Sequence, residues 1–223
     1  MNSETDKVRL RFSMLEIESN ELSGKILSNR QLLFLPPKLG NIFPNISELS
    51  ITNCGLIALN NNSFEGMELL EILNASRNQI VEVESETFSY LKHLKILDIS
   101  HNVINTLEKE AFEGLNELEK LYLDHNVLSI IQSDVFDVLL NLTVLDLSFN
   151  VIKELKVEIF TTINVLEEFY INDNYLKIIN PRIIVDFESS KVIDLRNNLC
   201  INHRFPETLT MVQLGIKVIH SNQ

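Results

Sequence analysis

The sequence predicts a solenoid of stacked coils, and three observations carry that prediction. Residues 94–117, LKILDISHNVINTLEKEAFEGLNE, reproduce their own pattern when the chain is slid along itself by about 24 residues. Within that stretch the apolar positions are Leu94, Leu97, Ile99, Ile104, Leu107, Phe112 and Leu115, a spacing that suits neither one helix nor one long strand. Three columns then recur in phase. A leucine-like residue returns at Leu22, Ile46, Leu70, Leu94, Leu118, Leu142 and Leu166. Asparagine returns at Asn78, Asn102, Asn126, Asn150, Asn174 and Asn198, and phenylalanine at Phe64, Phe88, Phe112, Phe136 and Phe160.

Each part of the coil has a physical reason. Leu97 and Ile99 alternate with Ile96, Asp98 and Ser100, the period of two of a short strand. Asn102 stands where the chain leaves that strand, and its amide can bond backbone groups that a tight, inward turn would otherwise leave unpaired. Phe112 and Leu115, three apart, fit a single helical or 3₁₀ turn on the way back. One such coil cannot bury its apolar side alone, so copies must stack until a continuous core runs through the pile.

The pattern L-x-x-L-x-L-x-x-N-x-L-x-x-L with a later Phe resembles the leucine-rich repeat, in the Phe-containing variant usual in animal extracellular proteins. The resemblance covers residues from about 22 to 200. It implies an α/β fold: a curved, horseshoe-like solenoid with a parallel sheet on the concave side and 3₁₀ or irregular segments on the convex side. The phrases Ile42-Phe-Pro-Asn-Ile-Ser-Glu-Leu-Ser-Ile, Asn53-Cys-Gly-Leu and Asp194-Leu-Arg-Asn-Asn-Leu-Cys-Ile resemble small insect extracellular leucine-rich-repeat proteins, the mosquito immune proteins among them. That similarity implies a secreted recognition role in innate immunity, although the coiled-coil tail and additional cysteines of those proteins are missing here.

In chain order, residues 1–21 are expected to form an N-terminal cap, residues 22–200 the solenoid of about seven and a half coils, and residues 201–223 a C-terminal cap. In the first cap Val8, Leu10 and Phe12 alternate like a strand, and Leu15, Ile17 and Asn20 hint at a degraded repeat. The coil from Leu22 is irregular, with Lys25 at a core position and Arg30 at the asparagine's. The next places Cys54 in the asparagine column. Coils from Leu70, Leu94, Leu118 and Leu142 are regular, while the coil from Leu166 has Ile184 in place of phenylalanine and Pro181 in its return segment. A half-coil follows with Ile193, Leu195, Asn198 and Cys200, and then a tail, Glu207–Ile219, that reads as a short helix and a strand.

A net charge of −12 over 223 residues argues against nucleic acid, whose phosphates need a basic footprint, and against anionic membrane surfaces. A neutral or cationic protein partner is expected instead. No stretch has transmembrane length, so no membrane insertion is expected, and no signal-like apolar run follows residues 1–7. The expected location is extracellular with the leader removed; a cytoplasmic scaffold and a fragment of a receptor ectodomain are the alternatives. No nucleophile elbow, phosphate-binding glycine loop, His-Glu-x-x-His helix or Cys-x-x-Cys pair is present, so neither an enzyme nor a cofactor is expected.

Cys54 and Cys200 lie six coils apart, nearly 30 Å at about 4.8 Å per strand, far beyond the roughly 7 Å reach of a disulfide. Cys54 is expected to be a buried thiol, and Cys200, near the ragged end, a candidate for a disulfide with another chain. Asn45, Asn61, Asn74 and Asn141 begin triplets that accept N-linked sugar in a secreted protein.

The outward strand positions form the expected binding surface. One column runs Ser50, Asn74, Asp98, Tyr122, Asp146, Tyr170, Asp194; the next Thr52, Ser76, Ser100, Asp124, Ser148, Asn172, Arg196. A flanking column runs Asn53, Arg77, His101, His125, Phe149, Asp173, Asn197. The partner-binding residues are expected to be Asp98, Tyr122, Asp124, His125, Asp146, Phe149, Tyr170 and Asp173, aromatic side chains beside charge as in interface hot spots. His101 and His125 fall in adjacent strands, near enough to share a metal or sense pH. Ser-His-Asn and Asp-His-Asn are ordinary spellings at that point of the repeat, so no metal site is assigned.

Overall fold

The computed structural model describes residues 8–12, 33–178, 192–199 and 217–219. The readings made at residues 15–30, at Pro181 and Ile184, and over 200–216, Cys200 included, fall outside them. Strands β1 (Val8–Phe12), β2 (Ile46–Ile51) and β3 (Ile72–Asn74) are followed by β4 (Glu82–Val83), β5 (Ile96–Asp98) and β6 (Thr106–Leu107). Then come β7 (Lys120–Tyr122), β8 (Val144–Asp146), β9 (Glu168–Tyr170), β10 (Val192–Asp194) and β11 (Lys217–Ile219). Nine of these make one parallel sheet in the order β1-β2-β3-β5-β7-β8-β9-β10-β11, and β4 pairs with β6 apart from it.

The strand residues Leu49, Leu73, Leu97, Leu121, Leu145, Phe169 and Ile193 stand opposite one another at steps of 24 and are fully buried. Their outward neighbours are half-exposed apart from Val144 and Asp194, which are buried, so the alternation read from the sequence is largely the alternation of burial. On the return side Leu91, Leu115 and Leu139 donate backbone N–H to the carbonyls of Phe88, Phe112 and Phe136, three residues back, which is the 3₁₀-type turn expected there. A 3₁₀ helix spans Val157–Phe160, and two single-turn helices span Leu39–Ile42 (α1) and Asn61–Phe64 (α2). Gly114 has φ +92°, and a Cβ there would come within 2.8 Å of the Ser89 backbone one coil away, so this close approach requires glycine. Among the described residues no helix is long and apolar enough to cross a membrane.

Strand β1 lies directly beside β2, with Leu10 opposite Leu49, 39 residues further along. At the other end β11 adds to β10, in accord with a strand in the tail.

Two ladders join the coils. The Asn78 amide donates to the carbonyls of Ile51 and Ala75 at 2.7 and 2.8 Å and accepts from the N–H groups of Cys54 and Leu56 at 2.9 and 3.1 Å. The same scheme repeats at Asn102, Asn126, Asn150, Asn174 and Asn198, each donating to the coil before it as well as to its own. Cys54 occupies the column as a buried thiol, donating weakly to Thr52 O at 3.4 Å, and burial raises its pKa. The second ladder is aromatic: the rings of Phe64, Phe88, Phe112 and Phe136 follow at 5.9, 6.3 and 5.8 Å. Phe160 turns instead to meet Phe169 edge-on at 5.2 Å.

Asn126→Ala removes the donors to Ile99 O and Leu123 O and the acceptor for Ile104 N–H, all buried. It is expected to lower unfolding free energy by about 1–3 kcal/mol. Urea unfolding read by circular dichroism checks this, and an unchanged midpoint would contradict the role given to the ladder.

Candidate functional site

The strand register sets Asp98, Tyr122, Asp146 and Tyr170 side by side as Cα partners in four adjacent strands, β5, β7, β8 and β9. Asp98 and Asp146 are partly structural. One oxygen of each accepts from the backbone N–H and hydroxyl of the serine two residues on, Ser100 at 3.0 and 2.7 Å and Ser148 at 2.9 and 2.6 Å. Asn74 does the same for Ser76 through its Oδ1. In the middle coil the order is reversed, with Tyr122 first and Asp124 second, so the Asp124 carboxylate turns sideways to His125 at 2.9 Å and His101 at 4.0 Å.

Carboxylates crowd the aromatic hydroxyls. Partial burial raises the pKa of Tyr122, with further help from the negative charges of Glu168, Asp98, Asp146 and Asp124. Tyr170 is pushed up to about 12 by burial, by the bond its hydroxyl donates to Glu168 at 2.9 Å, and by the same kind of neighbours. Arg196, at the C-terminal end of the face, is held by Asp194 at 2.6 Å.

The flanking column has a backbone signature that the sequence did not announce. Asn53, Arg77, His101, His125, Phe149, Asp173 and Asn197 are all left-handed, with φ between 51° and 59°. Asparagine, aspartate and histidine are enriched in that region; for arginine and phenylalanine it carries strain, of order 1 kcal/mol. The turn aims the following asparagine inward and stands the flanking side chains up on the rim. There His101, His125 and Phe149 stack, with centroids 4.1 and 4.2 Å apart. Burial, with repulsion from His125 and Arg77, lowers the pKa of His101. Asp173 stands apart from the patch, bonded by Asn172 and Asn197 at 2.8 and 2.9 Å.

An apolar stripe missed in the sequence reading borders this stack. From Asn102 onward the residues just after the ladder asparagines are Val103, Val127, Val151, Tyr175 and Leu199; Val151 is half-buried and the others are exposed. Backbone bonds from Val103, Val127, Val151 and Tyr175 to the preceding coil keep the stripe in phase. In the sequence these residues merge with the core positions next to them. The available signal was an apolar residue in a solvated column five coils running. Among the sugar acceptors, Asn45 and Asn141 are exposed and Asn61 and Asn74 half-exposed, and the Asn141 amide already donates to Asn116 O at 2.7 Å.

The leucine rich repeat family model matches residues 70–128 and 140–199, more than half of the chain. The chain belongs to the leucine-rich-repeat family. This leucine-rich-repeat chain is 31% identical to TLR13 as seen in its crystal structure with ssRNA13, at a TM-score of 0.71, over 74% of this chain and 23% of that one. A leucine-rich-repeat protein of Leptospira interrogans is 25% identical at a TM-score of 0.69, over 84% of this chain and 46% of that one. The chain therefore spans less than half the length of either. No curated protein sequence matches it.

Burial pushes the Asp146 carboxyl above its ordinary range, Asp124 adding to the shift and Ser148 and His125 opposing it. A carboxyl whose folded pKa exceeds its unfolded value, about 3.9, costs stability once ionised; the cost is absent below the unfolded pKa and complete above the folded one. Asp146→Asn keeps the acceptor for Ser148, as Asn74 does for Ser76. It is expected to melt higher than the parent at neutral pH and to lose that advantage near pH 3. Thermal unfolding at the two pH values checks the sign.

Proposed function

We propose that the chain is a non-catalytic recognition module that binds a basic segment of a partner protein on its concave face, centred on Tyr122. The observation that carries this is the setting of Tyr122: a half-exposed aromatic ring flanked in register by Asp98 and Asp146, with Asp124 and Glu168 also acting on it. A lysine or arginine seated over such a ring gains a cation–π contact of about 0.5–2 kcal/mol as well as the attraction of the carboxylates. Phe149 and the apolar rim from Val103 to Leu199 extend the surface, giving a partner area to bury beside its charge.

TLR13 in its crystal structure is in complex with single-stranded RNA. For this chain the same face is lined by carboxylates, and the protein carries −12 overall, which opposes a phosphate backbone. We further propose that the chain works outside the cell, in recognition linked to innate immunity. The sugar-acceptor triplets and the resemblance to small insect secreted proteins support that reading.

A labelled peptide of alternating arginine and leucine is expected to bind, more weakly as salt rises. Tyr122→Ala and Phe149→Ala should each weaken it by about tenfold, near the threshold of an interface hot spot, while thermal stability stays close to the parent's. Single-stranded RNA of equal length serves as the competitor. Tighter binding of RNA, or loss of fold in either variant, would overturn the assignment. For location, protein recovered from culture medium should drop in mass on glycan removal; unglycosylated protein confined to cells would instead identify a cytoplasmic scaffold.

A further inference from the structure

His101, Asp124 and His125 form a cluster at the edge of the recognition surface, which shares Asp124 with the setting of Tyr122. The two rings lie one coil apart, face to face at 4.1 Å and 18°. Asp124 Oδ2 is 2.9 Å from His125 Nδ1 and 4.0 Å from His101 Nε2, and the donor atoms of the three residues all lie within 4.8 Å of one another. Both histidines rise from left-handed backbone, φ 51° and 52°, whose hydrogen bonds to Asp124 O and Ser148 O hold them rigidly at the coil spacing. The carboxylate is available because of the reversed order in this coil. Asp98 and Asp146 spend an oxygen on a serine, whereas Asp124 is directed to the imidazoles.

We propose that His101, Asp124 and His125 bind one divalent cation of the zinc class. Two imidazoles and one carboxylate suit zinc, nickel or copper rather than calcium or magnesium, which prefer all-oxygen sites. Ligand atoms around tetrahedral zinc stand about 3.4 Å apart at bond lengths near 2.1 Å, so the His101–Asp124 gap must close by about 0.6 Å while the His125–Asp124 pair opens by about 0.5 Å. Stacked imidazoles also point their in-plane lone pairs in parallel, so both rings must turn about Cβ–Cγ to converge. The histidine side chains are 34% and 41% exposed, which leaves room to turn. The cost is the contact with Phe149, which covers the other face of His125 at 4.2 Å. The fourth zinc position faces solvent on the rim of the sheet, open to water or to a side chain of a partner. Arg77 is the nearest opposing charge in this column, while Asp98 and Asp146 favour a cation.

The test is calorimetric titration of the whole chain, stripped with chelator, with zinc chloride alone at neutral pH. One equivalent is expected with micromolar affinity, and cobalt should give the visible absorption of a tetrahedral site. His101→Asn, His125→Asn and Asp124→Asn should each weaken zinc by about tenfold or more. Asparagine is chosen for the histidines because Asn53 and Asn197 already hold the same left-handed position, so the variants keep the fold. Phe149→Ala, which releases His125 from its stack, should tighten zinc a few-fold, and His93→Ala, distant in the sequence pattern and paired with Glu117, should leave it unchanged. Tyr122→Ala should also leave it unchanged, which separates this site from the basic-peptide surface. No saturable zinc binding, or binding undiminished in the His101→Asn/His125→Asn double variant, would overturn the proposal.

Discussion

The asparagine ladder is the constraint on which the rest of the structure depends. A coil of 24 residues must bring its backbone inward after a strand of only three, and the polar groups exposed by that turn would be buried without water. A single amide answers for them in two consecutive coils, so the turn of one coil cannot form properly without its neighbour. Hydrophobic burial supplies the larger driving force, but it is indifferent to register; the amide is directional and sets the stagger of the pile. The parallel sheet then follows, because coils stacked with the same phase place their strands in the same direction.

That order also decides where function can reside. Among the described residues the inward positions are committed to apolar side chains and the ladder asparagines, and the left-handed residues of the flanking column are committed to making the turn. What remains free is the chemistry of side chains on the sheet face and along its rim. In the middle coils those side chains depart from the pattern of their neighbours: a tyrosine where aspartate or asparagine stands in the two coils before it, an aspartate where the coils on either side have serine, and stacked rings on the rim. The centre is therefore chemically distinct although its backbone is the same as that of the coils on either side.

Much of this was legible in the sequence, for a physical reason. A 24-residue period repeats the same environment, so Leu97, Asn102 and Phe112 each announce their columns, and counting from them places Asp98, Tyr122 and Asp146 on one line. The parts that escaped are those periodicity does not encode. The left-handed turn is occupied in two coils by Arg77 and Phe149, which carry no local preference for it. The apolar rim is camouflaged by its position beside core residues. The pairing of β1 with β2 escaped as well, because Leu10, 39 residues before Leu49, lies outside the period.

The spacing of the sheet sets a limit on what can be read along it. Strands recur about every 4.8 Å, whereas the side chains on one face of an extended peptide recur about every 6.7 Å, and a helix advances about 5.4 Å per turn. Neither ruler matches the solenoid. A helix laid along the face falls half a step out of phase after about four turns, and an extended peptide laid the same way does so within two of its own intervals. A straight partner can thus keep ideal contacts over only a few neighbouring coils, and added repeats lengthen the molecule without proportionately lengthening the matched surface.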